Sequence, residues 1–180
     1  MNKNIGKVKF SYYGIAIYEV EIIYNILISH FEDVDESQLE TIDNQYASLV
    51  QIEFPISFSE SFFQFFTFER WYQVKNILKE MKRRRGKKGL LTCISFNGIT
   101  SELRSNLMFS ISNKDNRHFE MAVEKIEYLV DIIPLQLIVL PSNIEEIYYD
   151  YDEISLKWNP RWARRDDGMR YFFKDSKWIL

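Results

Sequence analysis

Two stretches with helical spacing stand between runs that alternate with the two-residue period of a strand, and this order constrains the fold more than any other feature of the chain. In the first, residues 68–85, Trp71, Val74, Leu78 and Met81 recur at helical spacing with Ile77 beside them. One stripe can therefore be buried while Lys75, Lys79, Lys82 and Arg83 fill the other faces. Gly86 and Gly89 are stop signals, and cations in the last turn complement the helix dipole. In the second, residues 117–133, the stripe runs from Phe119 through Ala122, Val123, Ile126, Leu129 and Val130 to Ile133. Pro134 limits it, because the residue before a proline is pushed out of the helical region. Strand-like runs lie at 48–56, 90–96, 106–112 and 135–140. In 48–56, Val50, Ile52, Phe54 and Ile56 share one face, with Leu49, Gln51, Glu53 and Pro55 on the other.

Between 48 and 140 the order is strand, helix, strand, strand, helix, strand. It predicts an α+β fold, a mostly antiparallel sheet covered by two main helices, in the ferredoxin-like βαββαβ arrangement. The remaining segments extend this core. Residues 7–18 read as a strand, and 19–31 either continue it or form a short helix. Residues 32–44 read as an acidic loop with a helical turn, and 57–67 as a connection or the first turns of a helix. The C-terminal extension, 141–180, is strand-rich, with strands expected at 144–152, 153–158 and 169–173. A chain of 180 residues suits a single domain, 1–180, large enough to bury a core without metal or disulfide support. The ferredoxin-like arrangement hosts many unrelated functions and transfers none of them.

The chemistry-bearing residues are sparse. Cys93 is the lone cysteine, so no intrachain disulfide or cysteine zinc cluster can form, as fits a reducing, cytoplasmic setting. In the run Leu-Leu-Thr-Cys-Ile-Ser-Phe it reads as a small buried hydrophobe. The two histidines, His30 and His118, lie far apart and match no metal-ligand spacing. No nucleophile elbow is present. The basic turn 85–89 follows a helix and precedes a strand, the reverse of a phosphate loop. No cofactor and no metal are expected. The polar, basic first nine residues lack the apolar core of a signal peptide, and no stretch is apolar enough to span a membrane. Asp150 and Asp152 can share a strand face near Glu153, the one hint of paired carboxylates, although a solvated edge is the ordinary fate of such residues.

Charge is segregated along the chain. From Phe10 to Glu69 there are eleven acidic side chains and no Lys or Arg; from Arg70 to Lys88 there are nine basic ones against Glu80. Either the two segments neutralise each other or they offer opposite fields to partners. Lys82, Arg83, Arg84, Arg85, Lys87 and Lys88 form the densest cluster, and phosphates suit it because contact releases counterions. Trp158, Arg161, Trp162, Arg164 and Arg165 form a second cluster, of the residue types that concentrate binding energy at interfaces. A tail that closes the core is the plainer outcome for them. Three function classes follow in order. The first is a non-catalytic protein–protein interaction protein, an adaptor, inhibitor or assembly component; one form is an inhibitor of a basic toxin or nuclease using the acidic N-terminal third. The second is a weakly sequence-specific nucleic-acid binder using 82–88, without the aromatic motif of a base-reading sheet. The third is an enzyme with a scattered carboxylate site. The expected partner is another protein, with no membrane; a homo-oligomer is compatible with the sequence.

Overall fold

The computed structural model describes residues 6–40, 45–99 and 104–180. Strands β1 (Val8–Tyr13), β3 (Ser48–Phe54), β4 (Leu90–Asn97) and β5 (Asn106–Ile111) carry apolar side chains at alternate positions, and those positions are buried. With β2 (Val34–Gln38), β6 (Ile144–Asp152), β7 (Lys157–Arg165), β8 (Arg170–Lys174) and β9 (Lys177–Ile179) they form a nine-stranded sheet of order β2-β1-β3-β4-β5-β6-β7-β8-β9. Helices α1 (Ile17–Ile28), α2 (Glu60–Phe66), α3 (Phe68–Arg85), α4 (Asn116–Lys125) and the short α5 (Ile133–Gln136) pack on one face of it. The chain thus makes successive β-α-β units in which β1/β2, β3/β4 and β5/β6 pair parallel, and the remaining pairings are antiparallel.

Register sets the two faces. Phe10, Ile52, Ile94, Phe109 and Tyr149 lie in one cross-strand row, all buried beneath the helices. Many of the phenylalanines thicken this core: Phe62 meets Phe54 at 4.8 Å and Phe96 at 4.9 Å, and Phe58 meets Phe96 at 4.9 Å, mostly edge to face, as ring quadrupoles favour. The layer above is α1 against α3 against α4. α1 starts with Glu19 reaching back to the Ala16 N–H at 2.9 Å, a capping interaction without a capping side chain at Ala16 itself. Thr67, at φ 67°, breaks the chain between α2 and α3, and its Oγ1 accepts from the Arg70 N–H at 3.3 Å. Asp115 caps α4 by accepting from the His118 N–H at 3.1 Å. No helix among the described residues is long and apolar enough to cross a membrane.

The mixed sheet with several helices agrees with the α+β expectation, and α3 spans the residues expected of it. The ferredoxin-like order over 48–140 does not emerge. A split β-α-β unit needs another strand inserted between its parallel pair, whereas β3 and β4 are direct neighbours. Residues 135–140, expected as a strand, continue α5 and the turn after it. Pro134 opens that helix instead of ending the previous one, since a first-turn N–H has no partner to lose. The helix expected over 117–133 stops at Lys125 and passes into a 3-10 turn, Glu127–Leu129. Within the acidic segment expected as a loop, β2 forms an edge strand, where charged side chains remain in water.

Candidate functional site

The basic segment is split: Lys82 and Arg85 turn inward, while Arg83, Arg84, Lys87 and Lys88 are exposed. Lys82 is fully buried; its Nζ donates to the Lys114 carbonyl at 2.8 Å and the Gly86 carbonyl at 3.4 Å and lies over the Phe119 ring. Burial pulls its pKa down, with Asp115 and Glu153 opposing the shift. Gly89 is required beside it: φ is 69°, and a Cβ there would approach Nζ to 3.3 Å. Arg85 grips the buried Glu19 with both terminal nitrogens, at 3.0 and 2.6 Å, and donates from Nε to Ser48 Oγ at 2.5 Å. Burial alone would raise the Glu19 pKa, but the Arg85 fork and the Ala16 N–H hold it below the usual carboxylate value. Arg84 binds Glu80 at 3.0 Å and the Tyr18 hydroxyl, and Arg83 binds Glu120 at 2.8 Å. Lys87 and Lys88 are exposed, and neither ammonium has a partner among the described residues. Of the acidic N-terminal third, Glu19 takes part in this neutralisation; α4 and α3 supply the other acids.

The second cluster divides between the two faces of the sheet. Trp158 belongs to the core, 4 % exposed, with its indole N–H on the Ala122 carbonyl at 3.0 Å. Arg165 pairs with Asp167 at 3.2 Å. Arg161, Trp162 and Arg164 stand on the side of β7 away from the helices or at its bulge. Arg161 faces Asp150 at 3.6 Å, and Arg164 reaches Glu146 at 3.3 Å and Glu145 at 3.4 Å. Trp162 stacks on Tyr148 with centroids 5.1 Å apart and planes within 7°, and the Arg170 guanidinium lies 5.1 Å from its ring centre. Tyr148 comes from β6 and Arg170 from β8, the two neighbours of β7, so both faces of the indole are occupied.

These residues border a surface the sequence did not single out, the sheet face without helices. One row across it runs Lys9, Glu53, Ser95, Met108, Tyr148, Trp162; the next runs Ser11, Gln51, Cys93, Ser110, Asp150, Asn159. Small side chains in the middle strands make a trough walled by the Tyr148–Trp162 stack. At one end is a groove of about 310 Å³ lined by Lys9, Glu53, Ser95, Asn97, Met108 and Glu146. At the other, a wider depression of about 950 Å³ is bordered by Asp150, Asp152, Arg161 and Lys174. The signal for this face was present in the alternation of Leu91, Cys93 and Ser95 against Leu90, Thr92, Ile94 and Phe96, but its extent depends on which strands become neighbours.

Chemically the face is quiet. Burial pushes the Cys93 thiol up to about 11, against the hydrogen bond from Ser110. His118 sits on α4, across the sheet from Cys93. Burial raises the Asp150 pKa, and Asp152 adds to the shift while Arg161 opposes it. Asp152 is held low first by a hydrogen bond from the Ser155 side chain and then by the Ile154 and Ser155 N–H groups, each donating at 3.1 Å in the turn after β6. Among the described residues no group of three or more His, Cys, Asp and Glu side chains is placed to hold a metal ion. Comparison of the chain with protein-family models, with curated proteins and with solved structures finds no match.

Proposed function

We propose that this chain is a non-catalytic protein-binding module, acting as an adaptor, inhibitor or assembly component, and that its partner covers the open face of the sheet. One observation carries the reading: the sheet has helices on one side only, and its open side is partly apolar. The sheet is mixed, with five antiparallel pairings, and the open face of such a sheet is ordinarily polar and solvated. The uncovered side holds half-buried Leu49, Leu91, Met108, Tyr148 and Trp162. Its charges are matched across neighbouring strands, as Lys9 with Glu53, Arg161 with Asp150 and Arg164 with Glu146. A balanced, partly apolar face suits a protein surface better than a polyanion. Trp162 has no free ring face on which a base could stack. A protonated Cys93 is a poor nucleophile, which favours binding over catalysis, and a free thiol agrees with a cytoplasmic setting.

The test uses full-length tagged protein in extract of its source cells, comparing wild type with Met108→Lys and with Lys87→Glu/Lys88→Glu. The proteins retained by wild type should be lost with Met108→Lys and kept with the double variant. Retention by Met108→Lys with loss by the double variant would refute the open-face reading. A nucleic-acid reading has one supporting observation, the cations Lys87, Lys88, Lys114 and Arg117 where α3 ends and α4 begins, which have no partner among the described residues. Under that reading the double variant is the one that loses its ligand, and salt suppresses binding steeply.

A further inference from the structure

The helix layer carries an apolar surface that neither the core nor the open sheet face uses. After α4, Tyr128, Ile132, Leu135, Ile138 and Val139 point outward at near-helical spacing, between 45 and 76 % exposed. Phe68 and Tyr72 extend this surface from α3, 63 and 57 % exposed. They lie on the stripe of α3 that carries Lys75 and Lys79, and those lysines bind Glu124 and Glu127 beside Tyr128. We propose that this surface joins two copies of the chain in an isologous dimer.

Area and charge both point to a second copy. The seven exposed residues offer on the order of 800 Å², comparable to one side of a standard protein interface and above the ~300–600 Å² of a typical monomer's largest apolar patch. In a two-fold contact, residues near the axis meet their own images, so a charge there meets a like charge. This surface avoids that. Lys75 and Lys79 are neutralised within the chain by Glu124 and Glu127, at 2.5 to 2.7 Å. No cation on the stripe is left to select an acidic partner, and Asp131 and Glu69 are exposed acids at its flanks. With four aliphatic and three aromatic side chains and no free cation, the surface resembles the apolar centre of a homodimer more than the Arg-rich centre of a transient complex.

Sedimentation equilibrium of the full chain tests this directly. Wild type at micromolar concentration should run at twice the 21.7 kDa chain mass. The dimer should hold or strengthen as salt rises, because salt screens the acidic flanks. Leu135→Glu and Ile138→Glu should each raise the dissociation constant by about 100-fold or more, since each substitution is felt twice across the two-fold. Both side chains are exposed, so circular dichroism and thermal midpoint of the monomer should be unchanged. Ile17→Glu, on the exposed side of α1, controls for unspecific association and should remain dimeric. A monomeric wild type at high micromolar concentration overturns the inference, as does a dimer dissolved by Ile17→Glu and untouched by Leu135→Glu. Met108→Lys should lose the partner of the sheet face while remaining dimeric, so the two proposals fail separately.

Discussion

Replacing Glu19 by glutamine removes a charge while preserving shape, and it probes what the basic segment is for. Glu19 is 1 % exposed and receives two hydrogen bonds from Arg85 and one from the Ala16 N–H. Its loss leaves a guanidinium, itself only 12 % exposed, without a carboxylate. Breaking a buried pair from one side typically destabilises by about 3–5 kcal/mol. Ser48 Oγ and the Met81 carbonyl still accept from Arg85, so the lower end applies, about 3 kcal/mol. For a chain of this length that lowers the thermal midpoint by roughly 6–12 °C. The effect has a defined pH dependence. The Glu19 pKa in the folded protein lies below the usual carboxylate value of 4.5, so the stabilisation is fully present above pH 4.5 and disappears as pH falls through the lower folded value. Melting curves of wild type and Glu19→Gln should therefore differ at neutral pH and converge in acid. A difference under about 1 kcal/mol at pH 7, or one that persists unchanged in acid, would show that Arg85 is not held for the fold.

Three further outcomes are expected. Lys82→Met should be tolerated at neutral pH, and wild type should gain stability relative to it as pH rises toward 10.5, because burial lowers the folded-state pKa of Lys82 and the unfolded chain binds the extra proton; urea unfolding at neutral and alkaline pH measures this, and a falling difference contradicts it. Cys93, with its thiol pushed up to about 11, should react with a disulfide reagent at pH 8 about 100-fold more slowly than free cysteine, and prompt labelling of the folded protein would refute its protected state. In a salt-series titration against short DNA and RNA, Arg83→Glu/Arg84→Glu/Lys87→Glu should bind as feebly as wild type; tight wild-type binding abolished by the triple variant would move the function to the basic segment.

Local chemistry was enough for some elements. Residues 68–85 form a helix because Trp71, Val74, Leu78 and Met81 define one buried stripe and Gly86, at φ 55°, ends it. Strands β3 and β4 were legible because their apolar residues alternate over seven and eight residues, a pattern a helix cannot bury on one side. Residues 19–31 were ambiguous, since an isoleucine-rich run satisfies either period until the capping by Glu19 is known, and Ile17 and Tyr18, read as the end of the first strand, open α1 instead. The charge blocks were equally plain, but their meaning was not: Arg85 and Glu19 are 66 residues apart, and only the packing of α1 on α3 decides that they meet. The same holds for the face proposed to bind a partner. Each strand displays its two sides in its own sequence, yet which strands lie edge to edge, and whether a second layer covers the sheet, depends on contacts between distant segments. Alternation along one strand does not encode them, so the order of the sheet, its uncovered face and the outward stripe after α4 were decided by tertiary structure alone.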